Sequence, residues 1–203
     1  MKKVLVIHGG NTYRSYDAFV EYTKTRDVQP ERMKPKIDWK YYLDKKLGDG
    51  FDVYNPSMPG KDMAEYYLWE LWYKKVIDVV GSPDIVIGHS LGAMFLVKYY
   101  SENLSKKQLD ALYLVAPVYC GDENKEHHCH SFSLEEDIHI LQKNAKYIHF
   151  FFSKDDMVVL YENSAFFEEK LPEVKYSHFT DRGHFNQERF PELVNEIKRI
   201  TQQ

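Results

Sequence analysis

The chain has only two cysteines, Cys120 and Cys129, among 203 residues. Two cysteines are too few for a disulfide framework, and two free thiols in a reducing compartment are the simpler interpretation. The N-terminal segment, residues 1–8, contains an apolar stretch too short for a signal peptide and no small-residue cleavage site. We therefore expect a cytoplasmic protein.

Long apolar runs and an excess of basic residues are also lacking. No stretch approaches the about 20 apolar residues that a membrane-spanning helix requires. With 27 Lys and Arg against 31 Asp and Glu, the formal net charge is -4, and no basic tract is present that would attract nucleic acid. We expect neither a membrane nor a nucleic acid as a partner, and the sequence carries no readable signal for a protein partner.

Short apolar segments alternate with segments of helical periodicity along the chain. Strands are predicted at 4–7, 51–54, 84–87, 112–115, 147–152 and 174–179. Helices are predicted at 16–25, 39–47, 62–80, 93–100, 161–171 and 191–200. This alternation predicts an α/β protein with a doubly wound, mostly parallel sheet and helices on both faces. The length predicts a single domain, residues 1–203.

A doubly wound sheet carries its active site beyond the carboxyl ends of its strands. Two less regular segments, residues 11–50 and 120–133, follow predicted strand ends. We expect both to be insertions or loops that border the substrate pocket.

Residues 88–92, Gly-His-Ser-Leu-Gly, follow a predicted strand and precede a predicted helix. This is the context of the Gly-x-Ser-x-Gly elbow, in which the glycines permit a tight turn that presents the serine hydroxyl. Ser90 is therefore the candidate nucleophile, and the amide of Leu91 at the helix N-terminus is a candidate oxyanion donor. The second donor is expected in the turn after the first strand, at Gly10 or Asn11, and the sequence does not distinguish these two.

A serine hydroxyl is a weak nucleophile and needs a base that a third residue orients. His184 lies in a glycine-containing loop after the last predicted strand and is the candidate base. Asp155 and Asp156 both follow an earlier strand. We choose Asp156, because a small residue precedes it by three positions and an apolar residue follows it by three, as is common for the acidic residue of this fold. Asp155 is interpreted as a loop or capping residue.

The motifs HGGN, GHSLG, SKDDMVV and DRGHF occur in this order along the chain. Together they resemble the small serine hydrolases that include retinoblastoma-binding protein 9 and its bacterial relatives. The resemblance covers most of the chain and implies an α/β-hydrolase fold with a Ser90–His184–Asp156 triad. It also implies that no cofactor is used and that an ester, thioester or amide bond of a small acyl substrate is hydrolysed. The segment between Asn11 and Gly50 is longer than in the compact members.

Several other features have mainly structural interpretations. Residues 127–130, His-His-Cys-His, lie near Cys120, but neighbouring loop residues rarely converge on one ion, so we predict no metal site. The tyrosine-rich segment 66–73 is predicted to be a helix that covers the sheet, with hydroxyls reaching solvent. His8 and His89 are expected to support loops by hydrogen bonding, while segment 39–42 is a candidate for substrate contact.

Two alternative functions use the same residues. A non-catalytic protein-binding member would retain the hydrolase scaffold, since a fold does not fix a function. Such a protein has no need of an intact triad, which argues against this alternative. An acyltransferase would use the same triad with an acceptor other than water.

Overall fold

The computed structural model describes residues 1–119, 130–134 and 137–201, apart from the side chains of residues 31 and 32. The strands are β1 (Lys2–Ile7), β2 (Phe51–Tyr54), β3 (Ile85–His89), β4 (Ala111–Val115), β5 (Ile148–Ser153) and β6 (Lys175–Phe179). They form one sheet in the order β2-β1-β3-β4-β5-β6. Each neighbouring pair is parallel. All six predicted strands are therefore present, and the described sheet is entirely parallel.

The helices are α1 (Tyr16–Thr25), α2 (Pro30–Met33), α3 (Trp39–Leu47), α4 (Tyr66–Val80), α5 (Leu91–Glu102), α6 (Leu141–Asn144), α7 (Asn163–Lys170) and α8 (Pro191–Thr201). A 3₁₀ helix covers His130–Phe132. The sequence did not predict α2, α6 or the 3₁₀ helix, because one turn is too short to show a helical period. Within the described ranges, no helix has both the length and the apolar character needed to cross a bilayer.

Alternate side chains of the strands supply two separate cores, one on each face of the sheet. In β1, Val4 and Val6 pack in the core that includes α3 and α8. Leu5 and Ile7 pack in the core that includes α4 and α5. Successive strand residues point to opposite faces, so a strand that is apolar throughout needs cover on both sides. The doubly wound arrangement follows from this pattern.

The order of the strands determines where a site can form. From β1 the chain moves outward to β2, and it then returns to place β3 on the other side of β1. This reversal opens a crevice between the carboxyl ends of β1 and β3. The His8–Asn11 turn follows β1 and Ser90 follows β3, so both lie at this crevice.

The tyrosine-rich helix α4 covers the sheet as predicted. Tyr67 is exposed as expected, but Tyr66 and Tyr73 are buried. Tyr73 is fully buried, and its hydroxyl lies 2.6 Å from that of Tyr100. The hydroxyl of Tyr66 donates to Glu102 at 2.7 Å. The expectation of solvent-facing hydroxyls was wrong for these residues, because α5 packs over them and supplies polar partners.

Candidate active site

Ser90 lies in the turn between β3 and α5 and has φ 57° and ψ -125°. A positive φ is uncommon for a residue with a side chain and marks local strain that the surrounding structure must hold. The Ser90 amide donates to the carbonyl of Val115 at 2.8 Å, and the Ser90 carbonyl accepts from the amide of Ala93 at 2.9 Å. The turn is thereby fixed from the neighbouring strand β4 and from the first turn of α5.

The two glycines of the elbow are required by close approach of backbone. A Cβ atom on Gly88 would lie 2.5 Å from the Cα atom of Ala93. A Cβ atom on Gly92 would collide with the carbonyls of Ile7 and His8. The start of α5 therefore packs directly on β3 and on the end of β1, and this contact places Ser90 beside the turn that follows β1.

Asp156 lies in the turn after β5, is only 4% exposed, and pairs with His184. Its Oδ2 atom lies 2.8 Å from Nδ1 of His184. Its Oδ1 atom accepts hydrogen bonds from the amides of Val158 and Val159 at 2.8 and 2.9 Å. Because an ionised carboxylate only accepts hydrogen bonds, His184 carries its proton on Nδ1 when it is neutral. Its Nε2 atom is then free to accept a proton.

Asp155 has a different set of contacts. Its Oδ1 atom accepts from the amide of Gly183 at 2.9 Å and from the Ser153 hydroxyl. The hydrogen bond from Ser153, followed by that from Gly183, lowers the pKa of the Asp155 carboxyl below its ordinary value. Asp155 therefore fastens the backbone of the loop just before His184, while Asp156 contacts the imidazole itself.

The turn after β1 lies beside the nucleophile and contains the candidate oxyanion donors. A Cβ atom on Gly9 would lie 3.5 Å from the Ser90 Oγ atom, so this turn borders the hydroxyl. The Asn11 amide donates to the carbonyl of Lys61 at 2.7 Å, which removes it as an oxyanion donor. Within the described part of the chain, the amides of Gly10 and Leu91 have no hydrogen-bond acceptor. Of the two predicted alternatives in this turn, Gly10 keeps an amide that can serve a ligand.

His8 supports this turn, as the sequence predicted. Its Nε2 atom accepts a hydrogen bond from the amide of Met58 at 2.8 Å. Its Nδ1 atom, which then carries the proton, donates to the carbonyl of Gly9 at 2.6 Å. Both ring nitrogens are engaged, so His8 joins the turn after β1 to the loop after β2.

Helix α3, in the long segment 11–50, packs against the loop that carries His184. Trp39 is 3% exposed, and its Nε1 atom donates to the carbonyl of Phe185 at 2.9 Å. The Trp39 amide donates to the carbonyl of Gln187 at 3.0 Å. The Trp39 indole is therefore buried between α3 and this loop, and contact of the segment 39–42 with substrate stays a prediction.

Lys40 and His89 form a second polar contact between α3 and the site. The Lys40 Nζ atom lies 3.2 Å from Nδ1 of His89, and Nε2 of His89 lies 2.8 Å from the carbonyl of His184. Burial, and then the charge of Lys40, hold the pKa of His89 well below its ordinary value. Lys40 was predicted only as part of the segment 39–42, and its contact with His89 had no local signal because the two residues are 49 positions apart.

A cavity of about 570 Å³ lies beside the turn that follows β1, and its lining is mainly apolar. Phe19 of α1, Met58 and Lys61 of the loop after β2, and Trp72 of α4 are among its lining residues. Phe19 belongs to the segment 11–50 that was expected to border a pocket. The cavity does not include Ser90 in its lining.

The residues considered as metal ligands fall mostly outside the structural description. His127, His128, Cys129 and Cys120 lie outside the described residues, as does most of the predicted loop 120–133. His130 is described and is exposed. Among the described residues, no three His, Cys, Asp or Glu side chains are grouped so that they could hold a metal ion.

The chain is similar to known serine hydrolases in sequence and to known hydrolases in fold. The family model described as serine hydrolase matches residues 34–197. Serine hydrolase RBBP9 of Rattus norvegicus is 30% identical over 151 residues, which are 73% of this chain and 77% of that protein. The crystal structure of the ydeN gene product from B. subtilis matches with a TM-score of 0.73 at 17% identity and covers 100% of both chains. Est1E from Butyrivibrio proteoclasticus matches with a TM-score of 0.61 at 12% identity, over 99% of this chain and 87% of that one.

The structural matches, with the six-stranded parallel sheet, establish the α/β-hydrolase fold. The family model spans most of the chain, and a curated relative agrees with it over nearly three quarters of the sequence. The chain therefore belongs to the serine hydrolase family.

Proposed function

We propose that this hydrolase cleaves an ester, thioester or amide bond of a small acyl substrate through an acyl-enzyme on Ser90. The observation that carries the proposal is the 2.8 Å hydrogen bond between Asp156 and Nδ1 of His184. A carboxylate at Nδ1 leaves the lone pair on Nε2, which is the arrangement a serine nucleophile needs in its base. The positive φ of Ser90 in a strand-to-helix turn adds support, because it is the conformation of a nucleophile elbow.

In the first step, Nε2 of His184 takes the proton of the Ser90 hydroxyl while Oγ forms a bond to the acyl carbon. The carbonyl oxygen becomes an oxyanion, to which the amides of Gly10 and Leu91 donate. His184 then gives its proton to the leaving oxygen, sulfur or nitrogen as the bond to the acyl carbon breaks. The product of this step is an ester between the acyl group and Ser90.

In the second step, a water molecule gives a proton to His184 while its oxygen attacks the acyl carbon. A second oxyanion forms and collapses, the bond to Oγ breaks, and His184 returns the proton to Ser90. The acid is released and the enzyme is regenerated. The triad and two amides supply the nucleophile, the base and the oxyanion donors, so we expect no cofactor to be required.

The proposal is tested by labelling purified protein with a fluorophosphonate and locating the adduct by mass spectrometry. We expect one adduct on Ser90, which is lost in Ser90→Ala and in His184→Ala. Ser82→Ala, at an exposed serine, is the matched control and should label like the wild type. A folded protein with no adduct on Ser90 would contradict the proposal and favour the non-catalytic alternative. An adduct on Ser90, with turnover of an acyl ester only when an added alcohol or amine accepts the acyl group, would favour an acyltransferase.

A further inference from the structure

Lys40 has an unusual environment for a lysine on a surface helix. Its side chain is 13% exposed, and Nζ lies 2.5 Å from Oδ2 of Asp38. Asp38 also caps α3, because its Oδ1 atom accepts from the Lys40 amide at 3.0 Å. The ammonium group is therefore fixed on one side by the cap residue of its own helix. On the other side it meets His89 at 3.2 Å.

The direction of the hydrogen bonds follows from the chemistry of the groups. An ammonium group only donates, so Nδ1 of His89 must accept and carries no proton. The proton of the neutral ring is then on Nε2, which lies 2.8 Å from the carbonyl of His184 and donates to it. Lys40 and the carbonyl of His184 thus favour the same neutral form of His89, with its proton on Nε2.

The surroundings of His89 keep it in this neutral form. Its ring is buried at 4% exposure. The titratable groups that act on it are Lys40 on α3, His184 on the loop after β6 and His8 after β1. Asp38 lies against Lys40. Burial is the main cause that lowers the pKa of His89, and the charges of Lys40, His184 and His8 act in the same direction. Burial also lowers the pKa of Lys40, while Asp38 opposes this change.

We propose that Lys40 and His89 are positioning residues that fix the backbone of His184 relative to Ser90. The inference rests on the function proposed above, in which His184 is the base. Asp156 holds the imidazole of His184 and leaves the backbone of its loop to other contacts. His89 is the residue next to Ser90 in the chain, so its bond to the His184 carbonyl connects the nucleophile turn directly to the loop of the base. Helix α3 thereby has a role in the site without contacting the reacting atoms.

The tautomer of His89 is the most direct test and needs no variant. In wild-type protein labelled with ¹⁵N, we expect the His89 ring to be neutral with its proton on Nε2, and not to titrate between about pH 5 and about pH 8. In Lys40→Met the carbonyl of His184 still accepts from Nε2, so we expect the ring to keep that proton. We expect the pKa of His89 to rise in this variant, because the charge of Lys40 that lowers it is removed. A proton on Nδ1, or a charged His89 at neutral pH in the wild type, would overturn the inference.

Two substitutions of His89 separate its two hydrogen bonds. In His89→Asn the amide lies near the former Nδ1 position, so it can meet Lys40 but does not reach the carbonyl of His184. In His89→Gln the amide reaches the former Nε2 position and can donate to that carbonyl. We expect His89→Asn to lower kcat for p-nitrophenyl acetate about 10- to 100-fold, because small displacements of a catalytic group have effects of that order. KM should change by less than about 3-fold, and His89→Gln should lie within about 5-fold of the wild type.

Lys40→Met keeps the aliphatic part of the side chain and removes the charge, and we expect kcat about 10-fold lower. The matched control is Lys45→Met, an exposed lysine of the same helix, which should match the wild type. If Ser90 takes no fluorophosphonate in the wild type, the proposed function fails. If Ser90 is labelled, and folded His89→Asn and Lys40→Met react at the wild-type rate, only the positioning inference fails. If a variant does not fold, the ¹⁵N measurement of the His89 tautomer in the wild type still tests the inference.

Discussion

Asp156→Asn should abolish most of the activity while leaving the fold nearly unchanged. The side chain keeps its shape, and Oδ1 remains an acceptor for the amides of Val158 and Val159. The new amide nitrogen then takes the place of Oδ2 and faces Nδ1 of His184. Because an amide nitrogen donates, Nδ1 must accept, and the proton of His184 moves to Nε2. In that form the imidazole cannot take the proton of Ser90.

The size of the effect follows from the tautomer. In a serine protease with the same three groups, the corresponding Asp-to-Asn change lowers kcat by about 10⁴. A factor of about 10⁴ is about 5.5 kcal/mol of transition-state stabilisation. Asp155→Asn is the matched control, since Asp155 is the neighbouring aspartate and binds the Gly183 amide rather than the imidazole. We expect Asp155→Asn to lower kcat by less than about 10-fold, because the change leaves the contact between Asp156 and the imidazole of His184 in place.

The assay is the rate of fluorophosphonate labelling of Ser90 together with kcat for p-nitrophenyl acetate. Thermal unfolding of both variants should be measured in parallel to show that each is folded. If Asp155→Asn were the inactive variant and Asp156→Asn the active one, the assignment of the third triad residue would be wrong. If neither variant changed the labelling rate, His184 would not act as the base.

Three further predictions concern stability. Gly92→Ala should lower the free energy of unfolding in urea by about 3 kcal/mol or more, because its Cβ atom meets two backbone carbonyls. In the control Gly50→Ala the new Cβ atom has open space, so the free energy of unfolding should hardly change. Trp39→Phe should cost about 1 to 3 kcal/mol in the same assay, because the buried carbonyl of Phe185 loses its donor; an unchanged midpoint would contradict this. Burial, and then the charge of Lys175, lower the pKa of His149 to about 3, so its stabilising contribution is present above about pH 6.5 and is lost as pH falls toward about 3. Between about pH 8 and about pH 5 the free energy of unfolding of the wild type should therefore fall by about 2 kcal/mol more than that of His149→Gln. Equal decreases would refute the lowered pKa of His149.

The strands and the longer helices were predictable from local patterns. A strand buried on both faces is apolar at every position, as in residues 4–7. Such segments predict a parallel sheet with helices on both faces. Helix α3 begins and ends at the predicted residues because the capping side chain of Asp38 and the glycine at 48 mark its ends locally. The single-turn helices had no such signal, since about four residues cannot establish a period.

The sequence by itself determined the doubly wound α/β class and the elbow around Ser90, because strand apolarity, helix periodicity and glycine spacing are local properties. Only the tertiary structure decided which contacts form between distant segments. It bonded the Asn11 amide to Lys61 and brought Lys40 to His89, whereas the flanking residues had already favoured Asp156 over Asp155. Each of these choices depends on how loops from different strands meet at one edge of the sheet. No local pattern distinguished Gly10 from Asn11 or connected Lys40 with His89, and the packing of these loops decided both.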